Sequence, residues 1–322
     1  MTTLFSAGFM SMLAALLRIF IIIILAGYLV RKEIITKTQI DGLSKLTVVV
    51  LLPALVFGNT LHYFDPKQLS YWWFLPILGV VMSLIGLILA IIVFLPKPRN
   101  YKNLWAVAAM QNAGYLVLPI GQVVYPTHFK AFSLLIFLFI LGYNPVLWTI
   151  GKYLVTSQSK DKINFDYKKI ITPPAAANII SLLLVLLGLQ HIFPKILVGS
   201  VDFLGQAAVP VATFVLGATL GGISLKKWPP FYDIFRVILV KYILLPALVL
   251  AVLLYFNIGQ TYPLLSDFLI IQAAAAPATG LIIQVRAYGG DRQKVASIMF
   301  IAYILCLIAL PFWIAFWHSL NQ

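Results

Sequence analysis

The chain is poor in charged residues, and in acidic residues above all. Only nine of its 322 residues are Asp or Glu, and all charged residues together make up 10%, whereas about a quarter of a soluble protein is charged. A single cysteine, Cys306, excludes a disulfide within the chain. The four histidines do not have the spacing of metal ligands, and no nucleophile–base motif occurs. We therefore expect no enzyme, no metal and no cofactor.

What the sequence does contain is apolar residues, which account for 62% of it and give a mean hydropathy of +0.99. About twenty apolar residues cross a bilayer, and such segments recur along the whole chain. This pattern predicts an all-α polytopic membrane protein. We place ten spans at about 8–30, 40–62, 70–95, 103–125, 130–152, 170–190, 197–222, 231–256, 263–287 and 293–317. The first span is too long and too weakly basic at its start for a cleaved signal peptide.

The Lys and Arg residues behind the net charge of +14 are concentrated in every second loop between the expected spans, which argues against a nucleic-acid partner. The loops after spans 1, 3, 5, 7 and 9 carry seventeen Lys and Arg, and the alternate loops carry three. Cytoplasmic loops are the ones enriched in Lys and Arg. We therefore expect a multi-pass protein in contact with the lipids of the cytoplasmic membrane, with both termini outside the cytoplasm.

Spans 1–5 and spans 6–10 resemble two copies of one unit. Spans 2 and 7 each start with Asp, have a proline in the middle and end in Gly-x-Thr-Leu, at residues 58–61 and 217–220. A unit of five spans enters the membrane from opposite sides in its two copies, which makes an inverted 5+5 repeat typical of secondary transporters. We expect a first repeat at 1–155, a cytoplasmic linker at 156–169 and a second repeat at 170–322.

Spans 4 and 9 contain the residues that interrupt a helix. Span 4 includes MQNAGYLVLPIG at 110–121, and span 9 includes APATG at 276–280. Broken helices bring N-termini with free N–H groups to the middle of the membrane, where they attract an anion. The candidate substrate-binding residues of these two segments are Gln111, Asn112, Gly114, Pro119, Pro277, Ala278 and Thr279. The alternative is that the prolines are only kinks for helix packing.

At these residues the chain resembles the auxin efflux carrier family, in its short bacterial form of malate and malonate permeases. The matching segments include QNAGYLVLPIG in span 4, NPVLWTIGKYL in span 5, ITPPAAANIISLLL in span 6 and AAAAPATGLIIQVRAYGGD in span 9. The resemblance implies a scaffold of spans 1, 2, 6 and 7, which in this family often forms a homodimer, and a transport domain of spans 3–5 and 8–10 with crossover helices 4 and 9. It also implies that Asn112 and Asn144 face the substrate. The acidic residue that plant members have in span 3 is missing here.

Two further residues are candidates for the substrate site. Lys241 lies deep in span 8 and could balance an anion, or it could bond a carbonyl of a broken helix. Asn59 follows the proline of span 2 and either faces the substrate or packs between helices. Arg18 and Arg286 are weaker candidates, and Arg286 is better explained as an interface anchor.

Together these features predict a secondary transporter that moves small organic anions by alternating access. We rank malate or a related carboxylate first, and an auxin-like or other amphipathic acid second. An anion channel is a lesser alternative, because a channel favours a continuous polar lining and here the polar groups cluster at two breaks. The exact substrate, direction, ion coupling and oligomeric state are left open by the sequence.

Overall fold

The computed structural model describes residues 2–95, 101–156, 172–223, 228–288 and 291–321, and within them the chain is helical without strands. We number the twelve helices of eight residues or more, and we count as one helix those that continue through a π-helical turn or through the single turn residue Ala207; the short helical turns Gln190–Ile192 and Ile258–Thr261 are not numbered. They are α1 (Thr2–Arg31), α2 (Lys37–Tyr63), α3 (Phe74–Val93), α4 (Lys102–Ala109), α5 (Val117–Val124), α6 (Phe129–Thr156), α7 (Pro173–Leu186), α8 (Lys195–Gly221), α9 (Phe231–Tyr255), α10 (Pro263–Ala274), α11 (Gly280–Tyr288) and α12 (Arg292–Leu320). The expected linker at 156–169 lies outside the described residues, apart from Thr156.

Seven of these helices are long and apolar enough to cross a membrane, namely α1, α2, α3, α6, α8, α9 and α12. Helices α7 and α10 are apolar but shorter. Large apolar side chains are exposed on several helices, for example Ile24 on α1 and Ile196 and Phe203 on α8. Such faces are stable in lipid but not in water, so the structure supports the prediction of a helical membrane protein.

Two of the expected spans are each divided into two short helices. In the first, α4 ends at Ala109 and α5 begins at Val117, which leaves residues 110–116 outside any helix. In the second, α10 ends at Ala274 and α11 begins at Gly280, which leaves residues 275–279 outside. All four short helices lie in the protein interior, where the non-helical backbone can find hydrogen-bond partners away from lipid.

Three long helices contain a π-helical turn next to a proline. The turns are Thr47–Leu51 before Pro53 in α2, Leu147–Gly151 after Pro145 in α6, and Leu239–Leu244 before Pro246 in α9. Proline removes a backbone donor and crowds the preceding turn, and a widened turn accommodates both effects. The turns in α2 and α6 place side chains along the cavity described below.

Among the unbroken helices, α1, α2, α7 and α8 pack on one another, and α3 and α6 pack on each other. Helix α1 packs on α8 so closely that the two backbones touch: a Cβ atom on Gly221 would lie 2.3 Å from the Cα of Gly27. Helix α2 packs on α7 and α8, while α3 and α6 pack on each other through Gly79 and Gly142. The broken helices pack on α6 and α12 and, for individual halves, on α1, α3, α8 and α9. Residues 110–113 and 275–278 between their halves are buried.

Candidate functional site

The two non-helical segments, 110–116 and 275–279, meet and pair with each other, and we call this pairing the crossing. Gln111 and Pro277 form an antiparallel bridge. The N–H of Asn112 donates to the carbonyl of Ala276 at 2.7 Å, and the N–H of Ala278 donates to the carbonyl of Met110 at 3.0 Å. Both bonds come from the residues that flank the bridge, so the missing N–H of Pro277 costs nothing at its position.

Pro119 plays a different part from Pro277. It is the third residue of α5, where the N–H groups have no partner within the helix in any case, so proline is tolerated. The break in the first span therefore precedes Pro119 and is made by residues 110–116 instead. Pro119 starts the second half of the divided helix, whereas Pro277 lies inside the extended segment.

Side chains from α6 and α12 hold the crossing together. The Nδ2 group of Asn112 donates to the hydroxyl of Tyr303 at 2.6 Å, and that hydroxyl donates to the carbonyl of Pro277 at 3.0 Å. The hydroxyl of Tyr143 donates to the carbonyl of Gln111. Asn112 therefore links the two segments through Tyr303. The sequence analysis missed both tyrosines, and their only signal is that they are polar side chains within apolar spans.

A cavity of about 460 Å³ lies beside the crossing, within the range of about 300–1,000 Å³ that small-molecule sites occupy. Its lining comes from α2, α5, α6, α7, α8, the crossing and the start of α11. Most of the lining is apolar or aromatic, and none of the described residues that line it is charged. Its polar side chains are Ser44, Gln111, Asn112, Tyr115, Tyr143, Asn144, Thr172, Asn178 and Thr279.

The cavity lies toward the helix ends that lead into the Lys- and Arg-rich loops, and we call that side the basic face. Ser44 directly precedes Lys45 on α2, and Trp148 lies one turn before Lys152 on α6. Thr172 caps the start of α7 by accepting a hydrogen bond from the N–H of Ala175. The cavity therefore extends from the crossing toward the basic face.

Free backbone donors are available where the cavity meets the crossing. The N–H groups of Gly114, Thr279 and Gly280 have no acceptor among the described residues, and all three residues line the cavity. They lie at the N-terminal ends of α5 and α11, which carry partial positive charge. The donors expected from the breaks are thus only partly free, because those of Asn112 and Ala278 are used in the crossing.

Six of the ten sequence-predicted residues line this cavity, and four do not. Asn144 and Thr279 line it with side chains that have no hydrogen-bond partner among the described residues. Asn178, from α7, is a further amide at the cavity that the sequence analysis did not single out. The residues brought together are Gln111, Asn112, Gly114, Asn144, Ala278 and Thr279, and those outside the lining are Asn59, Pro119, Lys241 and Pro277.

Lys241 is fully buried in the π-helical turn of α9, away from the cavity lining. Its Nζ atom has no hydrogen-bond partner among the described residues. Asn59 is also buried, and its Nδ2 group donates to the hydroxyl of Ser133 on α6 at 2.8 Å. Arg18 is exposed on α1, and the side chain of Arg286 lies outside the described part. The structure therefore brings none of Lys241, Asn59 and Arg18 to the cavity.

Three carboxylates within helices are paired with other side chains, away from the cavity. Asp202 lies 3.0 Å from His62, and Asp233 lies 2.6 Å from Lys294. Asp267 accepts hydrogen bonds from Tyr125 at 2.8 Å, Trp317 at 2.9 Å and His318 at 3.0 Å. Asp233 and Asp267 are mostly buried in the protein.

A family model described as a membrane transport protein matches residues 11–314, which is nearly the whole chain. The chain belongs to this family. The expected resemblance to the auxin efflux carriers is thereby confirmed, and the family is one of membrane transporters and not an enzyme class.

Individual relatives of this membrane transport family member come from an archaeon and a plant. An uncharacterized transporter of Methanocaldococcus jannaschii is 23% identical over 92% of this chain and 96% of its own length. Protein PIN-LIKES 7 of Arabidopsis thaliana is 22% identical over 84% of this chain and 87% of its own. Protein PIN-LIKES 1 of the same plant is 29% identical over 48% of this chain, and the match spans only about a third (35%) of that relative.

Proposed function

We propose that this family member is a secondary transporter for organic acids that carry one negative charge and an apolar body. The observation that carries the proposal is the cavity, which combines a mostly apolar lining, uncharged among the described residues, with two helix N-termini. Each N-terminus is equivalent to about half an elementary positive charge. Two of them compensate about one negative charge, which suits one carboxylate group.

The same chemistry ranks the two substrate classes. A dicarboxylate such as malate brings a second charge into a lining that has no cation among the described residues, and burying an unpaired charge is costly. An aromatic or other amphipathic acid places its carboxylate near Gly114, Thr279 and Gly280 and its body against apolar residues such as Leu52, Phe137 and Ile140. The second-ranked substrate class of the sequence analysis therefore has the better support.

The proposed architecture has ten spans in two repeats of five. Eight spans are the unbroken helices α1, α2, α3, α6, α7, α8, α9 and α12, and two are the pairs α4/α5 and α10/α11. The scaffold would consist of α1, α2, α7 and α8, and the remaining helices would form the transport domain. The cavity lies where these two groups meet, because α2 and α7 line one side and α6 and the crossing line the other. The basic face would be cytoplasmic.

A panel of acids tests the substrate class on purified protein. Thermal stability is measured with phenylacetate and indole-3-acetate, with malate, malonate and succinate, and with the uncharged amides of the two monoacids as controls. Ligand binding stabilises a protein by RT ln(1 + [L]/Kd), so a ligand at 100 times its Kd contributes about 2.7 kcal/mol. We expect stabilisation by the monoacids only. Stabilisation by the diacids alone, or equally by acids and amides, would contradict the proposal.

Transport itself is tested in proteoliposomes with whichever acid stabilises the protein. A carrier gives saturable uptake and counterflow, whereas a channel gives neither. A monoanion carried alone moves charge, and a membrane potential of 100 mV changes its driving force by about 2.3 kcal/mol. We expect uptake to respond to the potential. Uptake driven by a pH gradient and indifferent to the potential would show that a proton travels with the substrate.

A further inference from the structure

Helices α2 and α6 run antiparallel, and they are separated at one end and joined at the other. Toward the basic face the cavity lies between them, lined by Val48, Leu52 and Val56 from α2 and by Phe137 and Asn144 from α6. Beyond Val56 and Phe137, away from the basic face, polar side chains connect the two helices directly.

Four residues make this connection, and we call them the latch: Asn59 and Tyr63 on α2, and Lys130 and Ser133 on α6. Asn59 donates from Nδ2 to the hydroxyl of Ser133 at 2.8 Å, and that hydroxyl donates to the carbonyl of Lys130 at 2.8 Å. The ammonium group of Lys130 bonds the hydroxyl of Tyr63 and lies over its ring, 4.1 Å from the centroid.

A third contact lies at the boundary between the latch and the cavity. Asn178 on α7 donates from Nδ2 to the carbonyl of Phe137 on α6 at 2.7 Å. Helix α6 is therefore held to both α2 and α7 at the closed end of the cavity. All of these contacts join the proposed scaffold to the proposed transport domain.

The chemistry of these contacts differs from that of the joints within the proposed scaffold. At the contact of α1 with α8, backbones touch at Gly27 and Gly221, and a Cβ atom would clash there. A joint of this kind is fixed by shape. The latch joins the two helices through one hydrogen bond, from Asn59 to Ser133, and one contact of an ammonium group with a tyrosine, from Lys130 to Tyr63. Each contact has a small net strength, because water can replace either partner. Such contacts can break and form again as access to the cavity alternates between the two sides of the membrane.

We propose that the latch is the gate that closes the cavity on the side opposite the basic face, and that it opens once in each transport cycle. This inference rests on the proposed alternating access between the two helix groups. It gives Asn59 a role that the sequence analysis left open, since the residue contacts α6 instead of lining the cavity. Lys130 and Tyr63 close the outer end of the same gate.

The experiment measures from which side the cavity can be reached. A reporter, Leu141→Cys, lines the cavity on α6, and the native Cys306 is buried, so background labelling is low. A membrane-impermeant maleimide is applied to right-side-out and inside-out vesicles, with no substrate present. We expect the parent to be labelled mainly from the basic face. Asn59→Ala or Ser133→Ala should raise labelling from the other face about 2- to 12-fold, the change that one lost hydrogen bond gives.

Matched controls separate a gate from general loosening. Ser83→Ala removes a buried hydroxyl that bonds only within its own helix, to the carbonyl of Gly79 at 2.8 Å, and should not change labelling from either face. In the double variant Asn59→Ala, Ser133→Ala, labelling from the face opposite the basic face should rise no more than in the single variant with the larger rise. Both substitutions remove the same hydrogen bond between α2 and α6. Should these variants fold poorly, Lys130→Met removes the exposed part of the latch with little effect on the core.

A crosslink gives the converse test. A disulfide between the two cysteines of Asn59→Cys, Ser133→Cys should restrict labelling of the reporter to the basic face. Reducing this disulfide should restore labelling from the opposite face. If labelling from the opposite face is unchanged in every folded latch variant, the contacts are static packing and the inference is wrong. Labelling is measured without substrate, so its outcome is independent of the substrate panel. The gate can be refuted while the proposed substrate class holds, and it can be supported even when no acid of the panel binds.

Discussion

Replacing Tyr303 by phenylalanine tests whether the crossing positions the substrate site. The hydroxyl of Tyr303 is buried, accepts from Asn112 at 2.6 Å and donates to Pro277 at 3.0 Å, so it joins the two non-helical segments. Phenylalanine keeps the ring and its packing but removes both bonds. The substitution therefore changes the hydrogen bonding of the crossing and leaves the shape of the core nearly intact.

The expected loss of stability follows from the two hydrogen bonds. Each neutral bond contributes about 0.5–1.5 kcal/mol, and a buried group left without its partner costs about 1–3 kcal/mol. We expect the free energy of unfolding to fall by about 2–4 kcal/mol. Part of this loss should appear in binding, because Pro277 precedes the free donors of Thr279 and Gly280. A tenfold rise in Kd corresponds to about 1.4 kcal/mol and is the size we expect.

The measurement is a denaturant titration together with calorimetric binding of the monoacid that stabilises the parent most. Tyr242→Phe is the matched control, because its buried hydroxyl donates to the carbonyl of Ala302 at 2.6 Å, away from the cavity lining. It should cost about 1–3 kcal/mol of stability and leave the Kd unchanged. An unchanged Kd for Tyr303→Phe, or an equal change in both variants, would refute the link between the crossing and binding.

Three further predictions follow from individual residues. Lys241→Met should leave the Kd of a bound acid unchanged and raise the free energy of unfolding by about 1–3 kcal/mol, since Nζ of Lys241 is buried off the cavity without a hydrogen-bond partner among the described residues; a higher Kd would return Lys241 to the substrate site. Asn144→Ala should weaken binding without loss of thermal stability, because its amide lines the cavity and bonds nothing else described; unchanged binding would exclude it. Gly142→Ala should prevent stable folding, since its Cβ would lie 1.8 Å from the carbonyl oxygen of Pro76. A Cβ on Gly42 meets nothing within 4 Å, so Gly42→Ala should stabilise α2 by about 1 kcal/mol. Equal melting temperatures of the two variants would contradict the packing of α3 on α6.

The class of the protein and the places where its helices are interrupted are encoded locally. Long apolar segments specify membrane helices, because each segment satisfies its own backbone hydrogen bonds. Small and polar residues near a proline weaken a helix wherever it packs, and QNAG and APATG stand out for that reason in an apolar chain. Six of the ten predicted site residues line the cavity, and most of these belong to the two interrupted segments.

The tertiary structure alone decided which polar side chains reach the cavity. Asn112 bonds Tyr303 across 191 residues, and Asn59 bonds Ser133 across 74. Within each helix, local sequence fixes only the rotation of side chains about the axis, and the partner depends on which helix packs against that face. Lys241 illustrates the consequence, since its depth in α9 could be predicted but the direction of its side chain could not. The packing of α9 against the core turned it away from the cavity. In the function that we propose, the N-termini of α5 and α11 therefore compensate the charge of the anion.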